Sequence, residues 1–233
     1  MSATPQPRIL FDLAGAEDDR RFSPYCWRTR MALAHKGLAV DAQPWRFTEK
    51  ERIAFAQSRT VPVLTDGDTA IADSWAIALY LEQAYPDRPS LFGTPAAIGA
   101  MHVLNAWADR TMVRGIAPLI IADIHDCLAE KDRAYFRASR EKVFGARLEQ
   151  VMDGREEKVA AFRKTLDPLR IALHDRPFLG GETPNYADYI PFGPLQWARC
   201  TSRFPLLAAD DVLVPWFDRL LDAFGGLARQ ARV

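Results

Sequence analysis

Cysteine is scarce: Cys26, Cys127 and Cys200 are the three in 233 residues, and they lie far apart. That number and spacing fit neither a disulfide framework nor a metal cluster, so no metal is expected. The histidines, His35, His102, His125 and His174, are equally dispersed. Net charge is also missing. Lys plus Arg number 30, as do Asp plus Glu, for a pI near 6.9, which argues against nucleic acid or an anionic membrane as the main partner. Long apolar runs are absent: residues 116–122 form one of the longest and are far too few to span a bilayer. Residues 1–7 show no basic segment leading into an apolar one, so no secretory signal is expected. Together these absences predict a soluble chain in a reducing, cytoplasmic compartment.

Hydrophobic residues are present in quantity, at 48%, enough to fill one large core or two small ones. The stretch around which the chain is organised is F-S-P-Y-C-W-R-T-R, residues 22–30. Serine before proline is a favoured N-cap, and proline at the first helical position sacrifices no hydrogen bond. A helix is therefore predicted from Pro24 to about Lys36, where Gly37 stops it. The Ser23 hydroxyl would sit among unpaired N–H groups at the positive end of that helix, a place that stabilises an anion such as a thiolate.

Residues 8–13 and 38–45 read as strands, and 47–58 as a charged, irregular helix. Then V-P-V-L-T-D-G-D-T-A-I-A-D-S reads as two short strands joined at Asp66-Gly67-Asp68, a strong hairpin signal. Asp73-Ser74 opens another helix, which ends at Tyr85-Pro86. The order β-α-β-α-β-β-α requires a parallel crossover followed by an antiparallel edge. After a Pro- and Gly-punctuated linker, 87–95, no strand pattern remains. Helices are predicted over 96–127, bent at Gly115 or Pro118; over 131–153; along the seam Val159, Phe162, Leu166, Leu169 and Leu173, kinked at Pro168; from Asn185, kinked or short because of Pro191 and Pro194; and over 212–224. The expected architecture is a small α/β unit (1–86), a linker (87–95) and an all-helical unit (96–233).

Four motifs, in order, resemble those of cytosolic glutathione transferases over nearly the whole chain: Ser23-Pro24-Tyr25-Cys26 at the first helix, Val61-Pro62-Val63-Leu64, Asp73-Ser74, and Asn185-x-x-Asp188 within G-G-E-T-P-N-Y-A-D-Y. The resemblance implies a thioredoxin-like N-terminal domain, a helical-bundle C-terminal domain, a homodimer, and glutathione as co-substrate. It implies that Ser23 is the catalytic group holding the glutathione sulfur as a thiolate. Val61, before a cis Pro62, would pair its backbone with the cysteinyl part. Asp73 and Ser74 would meet the γ-glutamyl group, and Trp45 and Arg46 the glycyl carboxylate. Asn185 and Asp188 would form a structural capping box.

A second, hydrophobic substrate is expected between the domains, against Tyr25, Trp107, Thr111 and Met112. W-A-D-R-T and Y-F-R-A-S-R-E-K-V-F-G are similar to segments of the bacterial branch that includes β-aryl-ether-cleaving enzymes, which implies an aromatic electrophile and a role in detoxification or aromatic catabolism. Two other readings stay open. The scaffold could bind glutathione or hydrophobic ligands without turnover. Alternatively, Cys26, in the S-x-x-C pattern, could serve glutathione-dependent thiol reduction rather than fill the core.

Overall fold

The central strand β1 (Ile9–Leu13) and its partners assemble a four-stranded sheet of order β2-β1-β3-β4. The structure is a computed structural model that describes residues 8–233; residues 1–7, where no secretory signal is expected, lie outside the described residues. β2 (Asp41–Trp45) runs parallel to β1, with Ile9 opposite Asp41 and Leu13 opposite Trp45. β3 (Val63–Asp66) lies antiparallel on the other side, with Phe11 opposite Val63. The turn at Gly67, with φ of 58°, returns the chain as β4 (Thr69–Ala72), as the Asp-Gly signal predicts. Helices α1 (Pro24–His35) and α2 (Ser74–Ala84) and a 3-10 helix (Lys50–Ala56) complete the thioredoxin-like unit.

The sheet's register positions the site. Because β3 runs against β1, residues entering β3 lie beside the C-terminal end of β1. Phe22 N–H reaches back to the Leu13 carbonyl (3.4 Å), and Asp73 N–H, just beyond β4, reaches Pro62 (3.2 Å). Ser23, the 61–62 peptide and Asp73 are thereby gathered at one end of the sheet, the end where parallel α/β layers commonly bind ligands.

The helical unit comprises α3 (Pro95–Trp107), α4 (Arg114–Asp126), α5 (Glu130–Phe144), α6 (Leu148–Met152), α7 (Arg155–Lys164), α8 (Asp167–Ala172), α9 (Tyr186–Thr201) and α10 (Leu213–Gly226). Several expectations require correction. The helix expected over 96–127 departs from α geometry at a π-helical segment, Ala108–Val113, and Pro118 is accommodated inside α4. The helix expected over 131–153 is two, separated at Gly145, whose φ of 69° allows the left-handed turn. Pro168 opens α8 rather than kinking one long helix. α10 departs from helical angles at Ala223–Gly225.

α9 is not short. Its 16 residues include Pro191 and Pro194, and it is buried almost throughout. It crosses α1 at Gly193, where a Cβ would collide with the Pro24 carbonyl oxygen. Its start is fixed by the expected box: Asn185 Oδ1 accepts from Ala187 N–H (2.9 Å) and Asp188 Oδ2 from Asn185 N–H (3.1 Å). Asp188, fully buried, also accepts from Leu179 and Gly180 N–H and from Trp216 Nε1–H. Burial raises its carboxyl, while the Trp216, Asn185, Leu179 and Gly180 donors pull it back.

Candidate active site

Ser23 caps α1 with relaxed backbone angles (φ −60°, ψ 129°). Its Oγ accepts from Cys26 N–H at 3.2 Å, which leaves the hydroxyl hydrogen available for an acceptor placed at the helix start. The side chain is only 3% exposed, so a ligand that meets it must be held close.

The next two motifs converge on the same place. The Val61–Pro62 peptide is cis. Among the described residues, Val61 N–H and C=O make no hydrogen bond, which leaves the edge before β3 open to an extended ligand. Asp73 has φ of 80°, a left-handed conformation uncommon outside glycine. Its Oδ1 caps α2, accepting from Trp75 N–H (2.9 Å) and Ala76 N–H (3.1 Å), and its side chain is exposed. Ser74 is 2% exposed, and its carbonyl accepts from the Tyr186 hydroxyl at 2.9 Å, which ties α2 to α9.

Trp45 and Arg46 are placed differently. Trp45 is buried and donates from Nε1 to the Glu49 carbonyl (2.7 Å), so it presents no surface to a carboxylate. Arg46 holds the loop between β1 and α1 together, donating to the Gly15 and Ala16 carbonyls (3.0 Å each) and to Asp18 (2.6 Å). Its Nε and Nη2 donors are engaged within the chain, while Nη1 makes no hydrogen bond among the described residues.

Of the four residues expected along the second-substrate pocket, Tyr25, Trp107 and Thr111 are half-buried, whereas Met112 is fully buried and belongs to the core. Thr111 and Met112 lie on the π-helical segment, a widening that recurs at functional sites. Burial raises the Tyr25 phenol, and the Asp109 carboxylate raises it further. A separate open cavity of about 680 Å³ is lined by Arg20, Cys127, Arg155 and Phe204 among others, and does not include Ser23.

Cys26 is wholly buried. Burial pushes its thiol well up, and the Asp12 carboxylate adds to the effect, so the sulfur is a packed, neutral group. Asp12 itself is held beside Arg21 (3.5 Å) and Arg30 (3.1 Å).

A polar cluster that sequence reasoning missed lies where α1 meets α9 and the π-helical segment. Arg28 is fully buried; it donates from Nε to the Ile190 carbonyl (3.0 Å) and from Nη1 to Asn105 Oδ1 (3.0 Å) and Asp109 Oδ1 (2.8 Å). Its guanidinium lies 5.1 Å from the Tyr25 ring centre. The signal that could have found it is Pro194. A proline has no N–H for the carbonyl four residues back, so the Ile190 oxygen needs a donor from elsewhere.

Comparison with known proteins decides the family. The glutathione S-transferase N-terminal domain model matches residues 22–84, and the glutathione S-transferase C-terminal domain model matches 100–210. The chain belongs to the glutathione S-transferase family. Glutathione S-transferase 1 of Dianthus caryophyllus is 31% identical over 147 residues, 59% of this chain and 65% of that relative. A glutathione S-transferase-like protein of Aspergillus flavus is 29% identical over 140 residues, 55% of this chain and 50% of its own length. The chain thus matches between half and two thirds of these relatives. Among solved structures, a glutathione S-transferase of Ceriporiopsis subvermispora in complex with glutathione superposes with a TM-score of 0.81 at 24% identity, covering 95% of this chain and 99% of that one. One from Rhodospirillum rubrum reaches 0.61 at 27% identity, covering 85% and 80%.

Proposed function

We propose that this family member is a glutathione transferase of the serine type, in which Ser23 donates its hydroxyl hydrogen to the glutathione sulfur. The observation that carries the reading is the Ser23 cap: its oxygen accepts from Cys26 N–H at the positive end of α1, and its hydroxyl donates no hydrogen bond among the described residues. Val61 pairs with the cysteinyl backbone, the Asp73–Ser74 turn receives the γ-glutamyl group, and Arg46 is left near the glycyl end. Glutathione, a crystal ligand of the Ceriporiopsis subvermispora relative, is the co-substrate.

A free thiol, with a pKa of about 8.5, is ionised by only a few per cent at neutrality. A hydroxyl donor and a helix terminus together contribute about 1–2 kcal/mol, or roughly one pKa unit. The thiol proton passes to solvent, and the sulfur lone pair then forms a C–S bond with an electrophilic carbon. The leaving group departs with the electrons of the bond it had to that carbon. The half-buried Tyr25, Trp107 and Thr111 favour a hydrophobic, aromatic electrophile, and β-aryl ether cleavage, releasing a phenoxide, is the finer form of the proposal. The protein acts in the cytoplasm as a homodimer.

Ser23→Ala tests this directly. Turnover with a generic aromatic halide should fall about tenfold or more, and the apparent pKa of bound thiol should rise by about one unit. An unchanged rate–pH profile would remove Ser23 from the mechanism, and glutathione binding without turnover on any electrophile would make the protein a carrier.

A further inference from the structure

Asp132 stands out among the buried groups that the transferase reading leaves unused. It lies in the first turn of α5, where a carboxylate commonly serves the N–H groups of its own helix. Here both oxygens are spent on the α/β unit. Fully buried, Asp132 accepts at Oδ2 from Phe47 N–H (3.1 Å) and at Oδ1 from Thr48 N–H (3.0 Å) and the Thr48 hydroxyl (2.7 Å). Among the described residues, the Phe47 and Thr48 N–H groups make no other hydrogen bond. Beside it, Lys131 meets Glu49 at 2.6 Å, and the other Glu49 oxygen accepts from Arg46 N–H (3.2 Å). The Phe47 ring packs on Phe136, with centroids 5.5 Å apart. Residues 46–49 are thus held from the helical unit.

That segment leaves the end of β2. Because β2 runs parallel to β1, with Trp45 opposite Leu13, Arg46 emerges at the same end of the sheet as Ser23. Its guanidinium is fixed by the Gly15 and Ala16 carbonyls and Asp18, all in the loop that leads from β1 to Ser23. Nη1 makes no hydrogen bond among the described residues, and 14% of the side chain stays in water. A guanidinium held through two nitrogens, with the third open, is preorganised to receive a carboxylate.

We propose that Asp132 is a positioning residue for the carboxylate end of the tripeptide. It fixes residues 46–49 from the helical unit so that Arg46 presents Nη1 to the glycyl carboxylate. The protein thereby distinguishes glutathione from γ-glutamylcysteine, which lacks the glycine. This rests on the transferase reading above and deepens it.

The experiment measures the dissociation constants of glutathione and γ-glutamylcysteine by calorimetry on the full chain, in wild type, Arg46→Gln, Asp132→Asn and Thr48→Val, with thermal unfolding followed in parallel. Wild type should bind glutathione about tenfold more tightly, the worth of one hydrogen bond to a charged group. Arg46→Gln should bring that ratio to about one. In Asp132→Asn one oxygen becomes an amide that cannot accept from a backbone N–H, and the ratio should fall to about threefold or less, with γ-glutamylcysteine bound as in wild type. A merely structural role would weaken both ligands alike. A wild-type ratio near one, an unchanged ratio in Asp132→Asn, or equal weakening of both ligands overturns the proposal while leaving the transferase reading intact. Should Asp132→Asn not fold, Thr48→Val, which removes the hydroxyl bond alone, decides: a reduced ratio supports the proposal, and an unchanged one refutes it. If wild type binds neither ligand, the transferase reading fails and the proposal with it.

Discussion

Two helix starts in this molecule use the same device to different ends. At α9, the Asn185–Asp188 box is closed: the buried Asp188 carboxylate accepts from Asn185, Leu179, Gly180 and Trp216, and the cap serves folding. At α1, Ser23 accepts one hydrogen bond and keeps a donor in reserve. The difference suits the proposed role of Ser23: its oxygen is taken by one backbone donor while the neighbouring backbone at Val61 makes no hydrogen bond among the described residues.

Breaking the closed cap should have the largest effect. Asp188→Ala would strand several buried donors, and we expect a loss of about 3 kcal/mol or more in unfolding free energy, read by denaturant titration. In the fraction that folds, the pH midpoint of bound thiol should stay at its wild-type value. A displaced midpoint would mean that the two caps are not separate in function.

The crossing of the two helices comes next. Gly193→Ala places a methyl group against the Pro24 carbonyl, one residue from Ser23, so α1 and α9 must part. An overpacked contact of this kind costs about 1–3 kcal/mol. Melting temperature and kcat/KM should fall together, and a stable variant with full activity would show that the crossing tolerates wider spacing.

Ser23→Ala sharpens the contrast with Asp188. Loss of this cap should lower stability by only about 1 kcal/mol, a few degrees in Tm for a chain of this size, while the thiol titration moves markedly. A large drop in Tm without a titration change would assign Ser23 to folding, like its counterpart at α9.

The smallest effect lies at the far end of α1. His35 Nδ1 meets the Tyr189 hydroxyl (2.8 Å) and Nε2 the Ser90 carbonyl (3.0 Å). Burial lowers its pKa below the usual 6.5. The fold therefore favours the neutral ring: this contribution is complete above the unfolded-state value of about 6.5 and is lost as pH falls through the lower folded value. Tm should decline between pH 7 and pH 5 by more in wild type than in His35→Gln. Equal declines would show that acid sensitivity arises elsewhere.

Much of the α/β unit was legible because its signals are local. Ser23-Pro24, Asp66-Gly67 and Asp73-Ser74 each specify a cap or turn from adjacent residues, and the structure places all three at such positions. The helical break at 145–147 was not legible, and the interruption expected at Pro168 falls at 165–166 because that proline is taken into the first turn of α8. Trp45 and Met112 read as candidate contacts because residue type says nothing of which face is buried. The Arg28 cluster was hidden for the opposite reason: its partners are 77, 81 and 162 residues away, beyond any periodic pattern.

Pro194 carries one further consequence. A proline-free α9 would fill the Ile190 acceptor from within the helix, and Arg28 would then be a competitor for an occupied oxygen. The buried arginine is thus tied to the proline by what the helix lacks: its Nε–H supplies the bond that residue 194 has no N–H to make.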